Sequence, residues 1–144
     1  MDRFRLHRFV EAQEGVWPQA LAEVRGGRKV SHWMWFVFPQ VAGLGSSAMA
    51  RLFAISGLEE AAAYLAHPVL GARLVQGVAA ALAVDERLSA HEIFGSPDDL
   101  KFRSCLTLFG QVPGAPAVFR AGLERFFGGE ADPATLERLG GAGF

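Results

Sequence analysis

The sequence predicts an all-α fold: a single compact domain, residues 1–144, of seven or eight helices. Helix start signals recur along the chain, as in Ser96-Pro97-Asp98-Asp99, where a hydroxyl precedes proline and two acids. The segments Leu58–Ala66 and Pro68–Val84 are rich in Ala and Leu, which favour helices. A length of 144 residues with 51% hydrophobic residues suits one domain with a substantial core.

The first half of the chain contains two clear helix boundaries. Apolar residues recur at roughly helical spacing up to Gly26-Gly27, which stops the pattern: Phe4, Val10, Leu21 and Val24. His67-Pro68 separates the two Ala-rich helices, because the residue before proline avoids the helical region. His67 is then predicted to cap the end of the first of them.

The second half carries three further helix signals. The apolar residues after Ser96-Pro97 form one helical stripe: Phe102, Cys105, Leu106 and Phe109. Ala115-Pro116 opens a helix that Gly128-Gly129 closes, and Asp132-Pro133 repeats the start signal. Two Ser/Glu pairs have the spacing of a capping box: Ser56 with Glu59 and Ser89 with Glu92.

The segment Val30–Phe38 is aromatic and β-branched, which is typical of a buried strand. Periodicity does not separate a short buried strand from a helical turn. The chain offers no second convincing strand, and a lone strand leaves its backbone groups unpaired. We therefore predict a short helix here, with Ser31 near its N-cap.

Composition and charge exclude several classes of protein. A formal net charge of -1 argues against general nucleic-acid binding, and the basic N-terminal residues are interpreted as a solvated helix face. A single cysteine, Cys105, excludes an internal disulfide and fits a reducing compartment. The N-terminus resembles no secretory signal, and the longest apolar block, Trp33–Phe38, is too short to cross a bilayer. We expect a cytoplasmic protein without a membrane or nucleic-acid partner.

Polar groups interrupt the most apolar run of the chain, and they are the first candidate site residues: Lys29, Ser31, His32, Trp33, Trp35 and Gln40. His32 is a candidate acid–base residue, the alternative being a core histidine bonded to a backbone carbonyl. Either tryptophan is a candidate for stacking on a ligand ring, the alternative being core packing. Two residues apart on a helix, they point to different sides, so one of them at most lines a site.

A second group of candidates begins the helix after Ser96-Pro97. Asp98 would orient or activate water, Lys101 would join Lys29 as an anion contact, and Ser104 lies on the stripe of Lys101. The alternative is structural, since acids stabilise a helix N-terminus. Two ion pairs also have helical spacing: Asp98 with Lys101 and Asp99 with Arg103.

Two further patterns carry little functional signal. Gly43-Leu44-Gly45-Ser46-Ser47 is similar to a phosphate-cradling loop, but it lacks the strand and lysine of a P-loop, so Ser47 is better interpreted as an N-cap. The four histidines are dispersed and no pair has ligand spacing on one helix face, so we predict no metal site and no cofactor.

Several strings resemble the bacterial family known as domain of unknown function 1810: Ser31–Gln40, Gly43–Ser47, Tyr64–Gly71 and Ile93–Lys101. The resemblance covers Phe4 to Leu139. It implies a compact all-helical domain with armadillo-like helix stacking, and it implies no activity. Some relatives carry the label "calpastatin", yet nothing in this chain resembles a disordered, repetitive protease inhibitor. Cys105 is not interpreted as a nucleophile.

Two functions of different classes follow. In the first, the domain binds a small polar ligand, such as a nucleotide, a sugar phosphate or an ADP-ribose derivative, and hydrolyses it if His32 and Asp98 supply the chemistry. In the second, the domain is a non-enzymatic protein-interaction module that uses a groove between helices. The first hypothesis predicts that His32 and Lys101 converge on one partly solvated cavity. It fails if His32 is fully buried with both ring nitrogens bonded to backbone groups.

Overall fold

The computed structural model describes residues 2–140 of the chain, and within them all regular structure is helical. The all-α prediction is confirmed. The ten helices are α1 His7–Gln13, α2 Trp17–Arg25, α3 Met34–Val37, α4 Ala48–Leu52, α5 Leu58–Ala66, α6 Leu70–Ala83, α7 Ala90–Phe94, α8 Asp98–Gly110, α9 Val118–Phe127 and α10 Pro133–Arg138. The count exceeds the expected seven or eight because α3, α4 and α7 are only four or five residues long. So short a helix shows no apolar periodicity.

Helix α8 lies at the centre of the domain and packs against α5, α7, α9 and α10. Its predicted stripe is fully buried: Phe102, Cys105, Leu106 and Phe109. Leu108 and Thr107 on its other side are buried as well, so α8 is covered on most of its surface. Because it is held from several sides, its polar first turn is placed firmly against the neighbouring loops.

Aromatic rings link the core from one helix to the next. Phe102 stacks on Phe94 with a centroid distance of 4.4 Å and meets Phe38 edge to face at 5.1 Å. Phe109 lies 5.3 Å from Tyr64, and Tyr64 meets Phe9 edge to face at 5.1 Å. Stacked and edge-to-face geometries are the preferred ones for aromatic pairs, and these contacts connect α1, α5, α7 and α8 through one core.

The predicted break at His67-Pro68 separates α5 from α6, which meet at 90°. His67 is the C-cap residue of α5, as predicted, and its backbone N–H donates to the carbonyls of Ala63 and Tyr64 at 3.0 and 3.2 Å. Its ring Nδ1 also accepts hydrogen bonds from the backbone N–H groups of Val69 and Leu70, at 3.1 and 3.2 Å, at the start of α6. No single helix of the described residues is long and apolar enough to cross a membrane. The bent pair α5–α6, taken together, has the length and the composition of a membrane span, but nothing beyond length and composition suggests one.

Of the predicted serine caps, two are confirmed. The capping box of Ser89 and Glu92 is present, and Ser47 accepts the N–H of Ala50 at 3.1 Å. The cap by Ser96 is wrong, because α8 starts one residue later than expected and Pro97 occupies the capping position. The second predicted capping box, that of Ser56 and Glu59, does not form: the N-cap residue of α5 is Gly57, which has no capping side chain.

Ser56 pairs with Glu60 and not with Glu59 at the start of α5. The N–H and the hydroxyl of Ser56 both donate to Glu60 at 2.8 Å. Glu60 is turned inward because Arg8 donates to it at 2.9 Å, whereas Glu59 faces outward and contacts Arg3. The expected Ser56–Glu59 box is therefore wrong by one residue, owing to a long-range ion pair.

The strand-like segment is helical at Met34–Val37, as predicted, but its capping residue is Trp33 and not Ser31. Two nearby residues, Val41 and Ile55, form an isolated parallel bridge. Ile55 donates to the carbonyl of Gln40 at 2.9 Å, and Ala42 donates to that of Ile55 at 2.8 Å. The bridge joins the start of the loop that precedes α4 to the residues that follow α4.

Candidate functional site

A surface cavity of about 470 Å³ lies between α3, the loop before α4, and the facing parts of α8 and α10. We call it the Trp35 cavity. Its polar lining residues are Gln40, Ser46, Ser47, Lys101, Ser104 and Asp132. Its apolar walls include Trp35, Leu44, Pro97 and Leu100. A mostly apolar concavity with a few converging polar groups is the usual form of a small-ligand site.

The loop wall of the cavity is held at both ends. The bridge between Val41 and Ile55 fixes its start, and the Ser47 cap fixes its entry into α4. On its outer side, Arg138 of α10 donates to the carbonyl of Gly43 at 3.3 Å. Ser46 and Ser47 therefore line the cavity from a loop whose position depends on three separate contacts.

Lys101 and Trp35 form the centre of the cavity wall. The Lys101 Nζ lies 5.3 Å from the centroid of the Trp35 ring, within the range of a cation–π contact. Its nearest charged partner is Asp98, whose Oδ1 lies 3.4 Å away. Among the described residues, the Lys101 ammonium and the Trp35 indole N–H have no hydrogen-bond partner, so both can donate to a bound molecule.

A small inner chamber continues the cavity behind Trp35. It holds about 10 Å³, roughly the space of one water molecule. Trp35, Gln40 and Lys101 line both spaces, and Met34 and Phe53 help to close the inner end. The Gln40 carboxamide has no hydrogen bond to another side chain within residues 2–140, so it is available at the junction of the two spaces.

Lys29 and Asp98 belong to a structural contact outside the cavity lining. The Lys29 side chain is only 7% exposed, and its Nζ lies 2.8 Å from Asp98 Oδ2. The same ammonium donates to the carbonyl of Ser31 at 2.6 Å and lies 5.0 Å from the ring of Trp33. These contacts fill its surroundings, so Lys29 joins the segment before α3 to the first turn of α8.

The predicted pair of Asp98 with Lys101 is present, and that of Asp99 with Arg103 is wrong. Asp99 Oδ2 lies 3.4 Å from His91 Nδ1. Arg103 turns instead toward the C-terminal end of the domain and donates to the carbonyl of Ala131 at 3.0 Å. That backbone acceptor near α10 draws the guanidinium away from the first turn of its own helix.

Glu23 of α2 organises Ser31 and Trp33. Its carboxylate accepts the Ser31 hydroxyl at 2.6 Å, the indole N–H of Trp33 at 2.9 Å and the backbone N–H groups of Val30 and Ser31. Burial alone would raise the pKa of Glu23, but hydrogen bonds from Ser31, Val30 and Gln19 outweigh it and hold the pKa well below its ordinary value. Neither Ser31 nor Trp33 lines the Trp35 cavity.

His32 is exposed, so its interpretation as a buried core histidine is wrong. It does not line either space that Lys101 lines. Because the preceding Ser31 and the following Trp33 both bond to Glu23, the His32 ring is left on the outside of this turn. The geometry therefore does not bring His32 and Lys101 into one cavity.

The structure thus divides the candidates. Four of the nine line the Trp35 cavity: Trp35, Gln40, Lys101 and Ser104. The other five lie outside it: Lys29, Ser31, His32, Trp33 and Asp98. Within the described part of the chain, no three of the His, Cys, Asp and Glu residues are grouped to hold a metal ion.

Sequence reasoning missed Asp132, Ser46 and Ser47 as lining residues. The two serines stand in the Gly-rich loop, whose similarity to an anion-binding loop was their only signal. Asp132 had none, because an acid before proline at a helix start is already explained by helix capping.

The comparisons with known proteins identify relatives without a stated activity. A family model described as "Protein of unknown function (DUF1810)" matches residues 3–139. The crystal structure of the conserved hypothetical protein Rv1873 from Mycobacterium tuberculosis is similar, with a TM-score of 0.94 and 49% sequence identity. The alignment covers 96% of this chain and 99% of that one. The search of curated proteins found no match.

Proposed function

The chain belongs to the DUF1810 family, as its sequence motifs predict, and we propose that it binds a small anionic organic ligand in the Trp35 cavity. One observation carries the proposal: the Lys101 ammonium lies on the cavity wall, over Trp35, and apart from its ion pair with Asp98 it donates no hydrogen bond to another described residue. A cation held in this way beside an aromatic ring is suited to a ligand that has both a ring and a negative charge.

The charges around Lys101 support an anionic ligand. Lys29 and Lys101 share a single carboxylate, that of Asp98, at 2.8 and 3.4 Å. Lys29 is buried by its contacts, whereas the Lys101 side chain is 27% exposed. The group of Lys29, Asp98 and Lys101 therefore has a net charge of +1, and its exposed cation, Lys101, faces the cavity.

The other lining groups suit a phosphorylated ring. Ser46 and Ser47 offer hydroxyls, Gln40 offers a carboxamide, and Trp35 offers an indole N–H and a half-buried ring face. The volume of about 470 Å³ lies within the usual range for small-molecule sites. These features favour a nucleotide, a sugar phosphate or an ADP-ribose derivative.

The proposal is one of binding and does not include hydrolysis. Hydrolysis would need an acid–base group and a water-activating group at the ligand. His32 and Asp98 do not line the cavity, and the Asp98 carboxylate is engaged by two ammonium groups.

A thermal-shift experiment with ADP-ribose, AMP and ribose 5-phosphate tests the proposal. Lys101→Met removes the charge but keeps an apolar stem over Trp35. Arg120→Ala is the matched control, because it removes a cation from an exposed pair with Glu124 on α9, outside the cavity lining. His32→Ala tests the acid–base residue that the sequence suggested.

At 100 times its dissociation constant, a ligand stabilises the folded state by about 2.7 kcal/mol, which raises the unfolding midpoint by roughly 5–10 °C in a domain of this size. We expect that shift in the wild type, in Arg120→Ala and in His32→Ala, and its loss in Lys101→Met. No shift with any of the three compounds, or an equal shift in Lys101→Met, would refute the proposal. The protein-interaction alternative would then take precedence.

A further inference from the structure

Asp132 places a carboxylate in the lining of a cavity proposed to bind an anion. An unpaired negative charge there would oppose the binding of a phosphate, so its presence needs a reason. Helix capping does not supply one. Asp132 occupies the capping position of α10, but its side chain accepts no backbone N–H of that helix.

The carboxylate is held in place by two hydroxyls. Ser104 of α8 donates to Asp132 Oδ2 at 2.9 Å, and Thr135 of α10 donates to the same oxygen at 2.6 Å. The backbone N–H of Asp132 donates to the Thr107 hydroxyl at 2.8 Å. Thr107 and Thr135 are completely buried, so the residue is fixed by groups that solvent does not reach.

All these side-chain bonds use one carboxylate oxygen. The other oxygen, Oδ1, has no hydrogen-bond partner within residues 2–140, and the residue lines the Trp35 cavity. A carboxylate is an acceptor only, so a bound molecule can meet Oδ1 favourably only with an O–H or N–H donor. Hydrogen bonds of this charge-assisted kind are about twice as strong as neutral ones.

From this arrangement we infer that Asp132 recognises hydroxyl groups of the ligand, which is therefore a phosphorylated sugar or a nucleotide with free sugar hydroxyls. The inference rests on the proposed function, since Lys101 would take the phosphate while Asp132 takes the hydroxyls. Ser104 and Thr135 are positioning residues that aim the carboxylate. A cavity with a cation and an anion on its walls discriminates against a simple phosphate that has no hydroxyl to offer.

Isothermal titration calorimetry with two matched probes tests the inference. Ribose 5-phosphate carries the hydroxyls, and tetrahydrofurfuryl phosphate has the same ring and phosphate without them. We expect the wild type to prefer ribose 5-phosphate by roughly 10- to 100-fold, the range of one hydrogen bond to a charged group. Lys101→Met should weaken the binding of both probes.

Asp132→Asn should abolish that preference. The single oxygen of the new carboxamide stays with the two hydroxyl donors, so its NH₂ replaces Oδ1 and cannot accept a hydroxyl. Loss of the negative charge should also strengthen binding of tetrahydrofurfuryl phosphate, so the affinities for the two probes move in opposite directions. Ser104→Ala, which removes one of the two donors, should reduce the preference by a smaller factor.

The outcomes separate the inference from the proposed function. If Lys101→Met binds both probes normally, the proposed function fails and the inference falls with it. If the wild type binds neither probe, the inference is overturned, and the proposed function fails as well only if AMP and ADP-ribose give no thermal shift. If binding depends on Lys101 but the wild type does not prefer ribose 5-phosphate, or if folded Asp132→Asn keeps the preference, only the inference is overturned. The comparison of the two probes on the wild type needs no variant, so a folding defect in Asp132→Asn would leave the test decisive.

Discussion

Glu23→Ala removes the acceptor that holds the segment before α3 on α2. The Glu23 Oε1 atom accepts three N–H groups, from Val30, Ser31 and the Trp33 indole, at 2.8 to 2.9 Å. The other oxygen accepts the Ser31 hydroxyl at 2.6 Å and the Gln19 carboxamide at 3.0 Å. We expect the variant to fold with a lower free energy of unfolding.

The magnitude follows from which donors lose their partner. Trp33 is fully buried, and a buried donor without an acceptor costs about 1–3 kcal/mol. Val30 is 72% exposed, so water can replace Glu23 at its N–H group. Together with the weakened bonds of Ser31, we expect a loss of about 3 kcal/mol, or roughly 6–12 °C in the unfolding midpoint.

Glu23→Gln separates the charge from the hydrogen bonds. Its carbonyl oxygen can take the place of Oε1, so we expect a loss of only about 1 kcal/mol at pH 7. The folded-state pKa of Glu23 lies below its ordinary value, so the carboxylate stabilises the fold above the unfolded-state pKa of about 4.3. That stabilisation is lost as the pH falls, because the unfolded chain then binds a proton that the folded chain does not.

Urea unfolding of the wild type and both variants, from pH 7 to pH 3, measures their free energies of unfolding. We expect the difference in free energy of unfolding between the wild type and Glu23→Gln to become smaller below about pH 4. All other carboxylates are common to both proteins, so only Glu23 contributes to this change. If that difference stays constant or grows toward pH 3, the Glu23 carboxylate does not stabilise the fold in the way proposed. A Glu23→Ala variant as stable as the wild type would lead to the same conclusion.

Three further predictions concern the core. Arg8→Met should lower the free energy of unfolding by about 3–5 kcal/mol, measured in urea titrations, because it leaves the buried Glu60 carboxylate without its cation. Adding Glu60→Gln to this variant should restore part of the lost stability. Gly71→Ala should lower the unfolding midpoint sharply in calorimetry, since the new Cβ would clash with the backbone oxygen of Leu65; a normal midpoint would contradict this contact. Burial raises the pKa of the Cys105 thiol, so iodoacetamide should modify Cys105 at pH 8 only after denaturant is added, as mass spectrometry would show, and rapid labelling of the native protein would count against this.

The fold was predictable wherever the signal is local. The apolar stripe that begins at Phe102 defines α8, and the His67-Pro68 break separates α5 from α6, because each depends on residues within one or two helical turns. At the start of α5, whose bounds were predicted, the acidic partner of Ser56 was misassigned because Glu60 is drawn inward by Arg8, 52 positions earlier in the chain. No pattern within the helix itself contains that information.

The sequence suggested the types of residue at the candidate site, but it identified only some of the residues that line the Trp35 cavity. Lys29 and Lys101, the two lysines of the chain, have the same chemistry and bond to the same carboxylate. What separates them is burial: the side chain of Lys29 is 7% exposed and that of Lys101 is 27% exposed. Burial of a lysine depends on packing between α8 and the segment before α3, which are far apart in sequence. Residue types could therefore suggest two lysines as candidate anion contacts, but they could not say which of the two lines the cavity.

The two indoles show where such reasoning reaches its limit. Trp33 and Trp35 are two residues apart, so helical geometry turns them in different directions, and the sequence indicates that one of them at most can line a site. Periodicity does not say which one. The choice is made by Glu23, on a different helix, which binds the Trp33 indole N–H at 2.9 Å and draws that ring into the core. Trp35 lines the cavity, whereas Trp33 is buried and its indole N–H is bonded to the partly exposed Glu23.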